Sequence, residues 1–265
     1  DFHKNGYHHP KELRIRKITH PNPDKINRKY AKHSSVQRGL AAAFTNFLAV
    51  VVAGINSLFF GFSVKGRENL IPVEGGAVTV CNHVHPMDCT MVKVALFPRM
   101  IRYISLRRNL ELPFVGWLLK ACGVLPLPGH PIRTARFQKE LEKGIEDGEW
   151  IHYYPEGMLV KYYEGLRAFH PGAFLTAVRT GCPIIPMRIV YKKPKGLRAL
   201  WRKRPFLELI IKKPLYADRT LPQKQAVKDL MQRTVKIMSG TEQKGEALDY
   251  GYAPEPSELK AAQIV

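Results

Sequence analysis

Acidic residues are scarce in this sequence. The chain of 265 residues carries 22 Asp and Glu against 42 Lys and Arg, a formal net charge of +20 at neutral pH. Hydrophobic residues make up 45% of the chain and aromatic residues 10%, so a disordered basic polypeptide is excluded. The charge indicates an anionic partner: nucleic acid, an anionic lipid surface or a phosphorylated substrate.

Cysteines are also few, at positions 81, 89, 122 and 182. Their number and wide separation do not fit a disulfide framework, and no pair has the spacing of zinc ligands. We therefore expect a reducing compartment and no metal site. Internal repeats of 20–50 residues are not evident either, which excludes a repeat architecture.

The N-terminal quarter of the chain divides into a basic part and an uncharged part. Residues 1–38 contain ten Lys and Arg, which predicts a basic N-terminal arm. Residues 39–64 carry no charge at all. A helix from about Leu40 to Phe60 would be roughly 30 Å long, enough to cross a hydrocarbon core. We predict a hydrophobic membrane-associating helix over residues 39–60.

How this helix meets the membrane is left open by the sequence. One helical stripe is small and polar, formed by Thr45, Ala49, Val52 and Asn56. Basic residues lie on both sides of the segment, so they set no orientation across a bilayer. A spanning helix and a helix lying in one leaflet both remain, and the alternative to either is a buried core helix.

From residue 61 onwards, short apolar runs alternate with amphipathic stretches. The predicted strands are Phe62–Lys65, Ala77–Cys81, Ile101–Leu106, Gly123–Leu127, Ile151–Tyr154, Pro183–Tyr191 and Phe206–Ile211. The predicted helices are Met87–Leu96, Pro113–Cys122, Arg133–Glu146, Gly172–Arg179 and Gln223–Met238. This alternation predicts an α/β fold over residues 61–240, a mostly parallel mixed sheet flanked by helices, followed by a weakly ordered tail over 241–265.

The stretch AVTVCNHVHPMDCT, residues 77–90, carries the first candidate site. Pro86 suits the first position of a helix, which predicts His85 as its cap and Asp88 in its first turn. His83 would then lie in the turn between strand and helix, within reach of the Asp88 carboxylate. Such a carboxylate fixes the imidazole tautomer, so that the second ring nitrogen can take a proton from a hydroxyl.

The stretch IHYYPEGM, residues 151–158, places Glu156 at the carboxyl end of a predicted strand. Ligands of open α/β sheets bind at that edge, so Glu156 can hold a hydroxyl or help to orient the base. The alternative is a structural ion pair with Lys161 or Arg167.

The segment HVHPMD, residues 83–88, resembles the H-x4-D block of the glycerolipid acyltransferase family. Three further blocks of that family are resembled by residues 123–127, 154–157 and 182–186, and the four blocks follow one another along the chain in the family's order. The resemblance implies an enzyme of phospholipid synthesis that moves a fatty acyl group from acyl-CoA or acyl carrier protein to a glycerol phosphate or lysophospholipid, without a cofactor. It implies His83 as general base, Asp88 as its partner, and acceptor binding by Glu156 and Gly157.

Three departures from the family pattern bear on the acceptor. Met158-Leu159 stands where the family has Thr-Arg, His170 replaces a lysine, and the second block lacks its arginine. Arg133, Lys161 or Arg167 can compensate, because a guanidinium or ammonium group can reach a phosphate from another point. Lysophosphatidic acid and other lysolipids therefore both remain as acceptors.

A second basic stretch indicates a partner, and two rival functions remain. Residues 192–204 carry seven basic residues with interleaved Leu and Trp and no acid, which favours an anionic membrane surface, on the cytoplasmic face, over nucleic acid. One rival is a metal-dependent hydrolase using His83 and His85 with ligands from His130, His152 or His170. The other is a basic nucleic-acid-binding protein, which would leave residues 39–64 unexplained.

Overall fold

The computed structural model describes residues 47, 50–59, 61–111, 113, 116, 124–128, 131–194 and 205–240. The predicted arm (residues 1–38), the tail (241–265) and most of the basic stretch at 192–204 lie outside the described residues. So do most of the predicted helix Pro113–Cys122 and the first part of the predicted hydrophobic helix over 39–60.

Seven strands form one sheet. They are β1 (Ser63–Lys65), β2 (Ala77–Cys81), β3 (Ile101–Leu106), β4 (Leu125–Leu127), β5 (Trp150–Tyr153), β6 (Ile184–Lys192) and β7 (Phe206–Ile211). Their order across the sheet is β1-β7-β6-β2-β5-β3-β4, and every pair is parallel except β6 with β7. The predicted α/β fold with a mostly parallel mixed sheet is confirmed.

In the part of the chain that the structure describes, the strands alternate with the helices α1 (Asp88–Ala95), α2 (Pro131–Glu146), α3 (Gly172–Thr180) and α4 (Gln223–Ser239). Alternate side chains of β2 enter two separate cores. Ala77 and Cys81 pack on the side that contains α1, whereas Val78 and Val80 pack on the side that contains α2, α3 and α4. Since both faces of the sheet are covered, β2 is completely buried, and its carboxyl end is held on a rigid element.

The predicted start of α1 is wrong. The helix begins at Asp88 with Met87 at the N-cap position, and no side chain bonds to the helix N–H groups there. His85 and Pro86 instead form a turn closed by the Asp88 N–H, which donates to the His85 carbonyl at 3.0 Å. The reason is that the Asp88 carboxylate binds main-chain N–H groups before the helix, so the turn is stable without a capping histidine.

Residues 50–59 are helical and pack one face against α1. Val52 and Ala53 contact the core, and the fully buried Asn56 donates through Nδ2 to Thr90 Oγ1 at 3.1 Å. The opposite face exposes large apolar side chains: Val50, Val51, Ile55, Leu58 and Phe59. Within the described ranges, no helix combines the length and the apolar character needed to cross a membrane.

Candidate active site

The candidate site lies at the carboxyl ends of β2 and β5, which are neighbours in the sheet. His83 follows the last residue of β2 by two positions, and Glu156 follows the last residue of β5 by three. Because the two strands are parallel, both segments leave the sheet at the same edge, where ligands of open α/β sheets bind.

His83 and Asp88 form the pair that the sequence predicts. His83 Nδ1 donates to Asp88 Oδ2 at 3.0 Å. Asp88 is fully buried, whereas the His83 side chain is 25% exposed. Since a carboxylate only accepts, the proton of a neutral His83 ring sits on Nδ1 and leaves Nε2 as the proton acceptor.

The turn that carries this pair is fixed by its main-chain hydrogen bonds. Asp88 Oδ2 also accepts from the N–H groups of Val84 and His85, at 2.7 and 3.0 Å. The His83 carbonyl accepts from the Val160 N–H, and the Val84 carbonyl accepts from the Tyr162 N–H, both at 3.1 Å. The loop after Glu156 therefore holds the turn from one side while Asp88 holds it from the other.

Below His83 lies a group of polar and aromatic side chains, whose contacts with the His83 ring are not predicted from the sequence. Tyr154 stacks on the His83 ring, and His152 meets Tyr154 edge to face. His152 Nδ1 is 2.8 Å from Thr79 Oγ1, and its ring contacts Tyr103. A usable signal existed in the strand predicted over Ile151–Tyr154, because alternation along a strand puts residues 152 and 154 on one face.

Glu156 is buried and forms an ion pair with Arg167. Arg167 Nε and Nη2 both donate to Glu156 Oε2, at 3.0 and 2.6 Å, and Arg167 Nη2 also donates to the Met158 carbonyl. Glu156 Oε1 is buried and has no hydrogen-bond partner among the described residues. Burial raises the pKa of the Glu156 carboxyl, and the Arg167 guanidinium opposes that rise.

Gly157 makes a close approach that only glycine permits. Its φ is +73°, and a Cβ atom there would lie 2.9 Å from His170 Nε2. The two loops are also joined by the His170 N–H, which donates to the Pro155 carbonyl at 2.8 Å. Partial burial, and then the positive charge of Arg167, lower the pKa of His170.

The other predicted binding residues take separate positions. Lys161 is exposed and lies in the loop beside Val160, whereas Arg133 lies in the first turn of α2. The structure brings His83 together with Asp88, and Glu156 together with Arg167.

The proposed histidine ligands of a metal site are not assembled in the part of the chain that is described. No group of three or more His, Cys, Asp or Glu side chains there has the arrangement of a metal site. His85 Nδ1 accepts from the Met87 N–H at 3.2 Å. His152 and His170 are buried or half-buried against Thr79 and Gly157, and His130 lies outside the described residues.

Comparison with known proteins gives a consistent set of relatives. Residues 61–190 match the family model described as Acyltransferase. A chloroplastic 1-acyl-sn-glycerol-3-phosphate acyltransferase of Brassica napus is 27% identical over 183 residues, which cover 66% of this chain and 52% of that protein. A lyso-ornithine lipid O-acyltransferase of Rhodobacter capsulatus is 26% identical over 155 residues, covering 55% of this chain and 52% of that protein.

Among solved structures, the 1-acyl-sn-glycerophosphate acyltransferase PlsC of Thermotoga maritima is similar, with a TM-score of 0.49 and 21% identity. The match covers 80% of this chain and 90% of that one. The chain spans about half the length of the curated relatives it matches.

Proposed function

Because residues 61–190 match the Acyltransferase family model, we propose that the chain moves a fatty acyl group from an acyl thioester to the hydroxyl of a lysophospholipid or glycerol phosphate. The observation that carries this proposal is the His83–Asp88 pair at the carboxyl end of β2. Acyl-CoA and acyl carrier protein both supply the thioester that this chemistry needs, and no cofactor takes part in it.

In the proposed reaction, His83 Nε2 takes the proton of the acceptor hydroxyl. The hydroxyl oxygen attacks the thioester carbonyl carbon, the carbon–sulfur bond breaks, and the proton on His83 passes to the leaving thiolate. Asp88 accepts the Nδ1–H bond throughout, which stabilises the imidazolium that forms. The acceptor brings its own hydroxyl, so no serine nucleophile of the protein is required.

The acceptor would bind beside Glu156. Its Oε1 atom is free to accept a hydrogen bond from a second hydroxyl of the glycerol, while Oε2 stays paired with Arg167. Gly157 lets the His170 ring approach the main chain next to Glu156, which fixes the loop that would contact the acceptor. Arg167, which stays 21% exposed, would attract the anionic headgroup, and Lys161 and Arg133 are further candidates for that role.

The apolar face of residues 50–59 supports membrane association. Its exposed side chains lie within the uncharged run of residues 39–64. Such a face next to basic sequence is typical of segments that lie in the interface of an anionic membrane. Within the described residues, Cys81, Cys89 and Cys182 form no disulfide bond, which is typical of the reducing compartment on the cytoplasmic face that we propose.

The test is an assay of the purified full chain against a panel of lysolipids and glycerol 3-phosphate with two labelled donors, an acyl-CoA and an acyl carrier protein thioester. We expect His83→Ala to abolish transfer and Asp88→Asn to reduce kcat by about 10²–10⁴-fold. Asp229→Asn on α4 is the matched control, because it neutralises a surface carboxylate far along the chain from the site. Near-wild-type transfer by a folded His83→Ala protein would contradict the proposal.

A further inference from the structure

Tyr154 makes a face-to-face contact with the imidazole ring of His83. The two ring centroids are 4.0 Å apart and the planes are inclined by 16°. We propose that Tyr154 is a positioning residue, which fixes the orientation of the His83 ring for proton transfer. This inference rests on the proposed role of His83 as general base.

The bond to Asp88 alone leaves the His83 ring one degree of freedom. A single hydrogen bond at Nδ1 fixes one point of the ring, about which the imidazole can still tilt. A tilt moves Nε2, the atom that must meet the acceptor hydroxyl. Small displacements of a reacting group lower the rate of the reaction strongly. The stacked phenol ring blocks that tilt on one face, so Asp88 and Tyr154 together set the direction of Nε2.

Tyr154 is in turn held by the strands beneath it. His152 lies edge to face against the Tyr154 ring, with centroids 4.6 Å apart and planes at 83°. His152 is fixed by Thr79 Oγ1 at 2.8 Å and by the ring of Tyr103. Thr79, His152 and Tyr103 are direct partners across β2, β5 and β3. The ring under His83 therefore rests on the rigid centre of the sheet.

The aromatic ring, and not the hydroxyl, carries this role. The Tyr154 hydroxyl is buried and has no hydrogen-bond partner among the residues described. Burial, followed by the negative charge of Asp88, raises the pKa of that hydroxyl, which keeps it protonated. Phenylalanine would preserve the stacked face and remove only an unpaired polar atom.

The experiment compares kcat and the acceptor KM of four variants in the full chain. We expect Tyr154→Leu to lower kcat about tenfold or more, with KM within about twofold, because ring positioning affects only the reacting geometry. Tyr154→Met, which fills the space without a ring, should behave in the same way and serves if the leucine variant does not fold. Tyr154→Phe should keep kcat near that of the wild type.

Tyr153→Leu is the matched control. It removes the neighbouring tyrosine of β5, which faces the other core and bonds to Thr176 Oγ1 at 2.9 Å. We expect it to lower the thermal midpoint while kcat per folded molecule is retained. Equal loss of kcat in Tyr153→Leu would overturn the inference, because the effect would then follow general destabilisation.

Two further results would also overturn it. Wild-type kcat in Tyr154→Leu would show that Asp88 alone orients the base, and a large loss in Tyr154→Phe would assign the role to the hydroxyl. Failure of the proposed function is separate, since it would show as activity that survives His83→Ala.

Discussion

His152 is a completely buried histidine at the centre of the sheet, one layer below the site. Burial, and then the nearby His83, lower its pKa from the usual 6.5 to about 3. The folded protein therefore keeps this ring neutral over a pH range in which an unfolded chain binds a proton. Linkage makes its contribution to stability fully present above pH 6.5, and this contribution is lost as the pH falls from 6.5 towards 3.

We predict that the free energy of unfolding falls between pH 7.5 and 5.5, with about 1.4 kcal/mol of the fall due to His152. The measurement is urea denaturation at both pH values for the wild type and His152→Asn, which keeps a polar atom near Thr79. The variant should be less stable at pH 7.5, and its further loss at pH 5.5 should be smaller by that amount. An identical pH dependence in the two proteins would disprove the assignment.

At the level of single residues, the sequence predicted the contact between His83 and Asp88 better than the side chains that support it. His83 and Asp88 were readable because both lie within one strand–turn–helix segment, and their contact needs no information about the rest of the fold. The support of His83 by Tyr154 and His152 was not predicted, and His152 was considered only as a ligand of the alternative metal site, because this support depends on β5 lying next to β2. Strand neighbours in a parallel sheet are set by crossover connections, which local sequence does not specify.

Among the elements, the helical stretch over residues 50–59 is joined to α1 by one buried polar contact. Asn56 donates to Thr90 Oγ1, and Thr90 in turn donates to the Met87 carbonyl at 2.7 Å. Thr90 lies two residues after Asp88, so this contact fixes the stretch against the helix that carries the proposed partner of His83. A buried polar group that loses its partner costs more than the hydrogen bond itself contributes.

We predict that Asn56→Ala and Thr90→Val are coupled, with an interaction energy of about 0.5–1.5 kcal/mol. Each single variant should be destabilised, and the double variant should lose less than the sum. The measurement is a double-mutant cycle by urea denaturation. Thr90→Val and the double variant both lack the hydrogen bond from Thr90 to the Met87 carbonyl, so the loss of that bond cancels in the interaction energy. Thr90→Ser, which keeps the hydroxyl, is the control and should remain coupled to Asn56. Strict additivity of the two substitutions would show that the contact does not join the elements.

The elements themselves were largely predictable. The strand bounds predicted from apolar runs agree with the structure to within two residues, because both flanks of each run are marked by Gly, Pro or charge. The start of α1 was wrong because Pro86 fits a pre-helical turn as well as a first helical turn. The order of the strands and the antiparallel pairing of β6 with β7 depend on long-range packing, which the periodicity of a segment does not encode.

For the molecule as a whole, the net charge and the exposed apolar face both support the proposed association with an anionic membrane. The net charge of +20 gives long-range attraction to anionic lipid, whereas the apolar face of residues 50–59 supplies short-range burial. The two contributions respond differently to salt, because screening weakens the attraction between charges and leaves apolar burial intact. Membrane binding by this chain should therefore have a salt-sensitive and a salt-resistant part.

We predict that the full chain floats with vesicles that contain anionic lipid and is not fully released by high salt. Leu58→Asp and Phe59→Asp should each lower the bound fraction at high salt, with affinity reduced about tenfold or more. Tyr216→Asp is the control, because it charges an exposed aromatic position next to α4, on the other side of the sheet. Complete release by salt alone, or equal loss in the control, would contradict an apolar anchor.

The hydrogen bonds from Val160 and Tyr162 to the carbonyls of His83 and Val84 have a consequence for redesign. They make residues 82–88 and 156–167 one hydrogen-bonded unit, although the segments lie far apart in the sequence. If residues 156–167 are exchanged alone, these two bonds are put at risk, and with them the position of His83, the proposed base. We therefore expect a transfer of acceptor specificity between relatives to need both segments together, and a screen that varies one of them to recover mostly inactive chimeras.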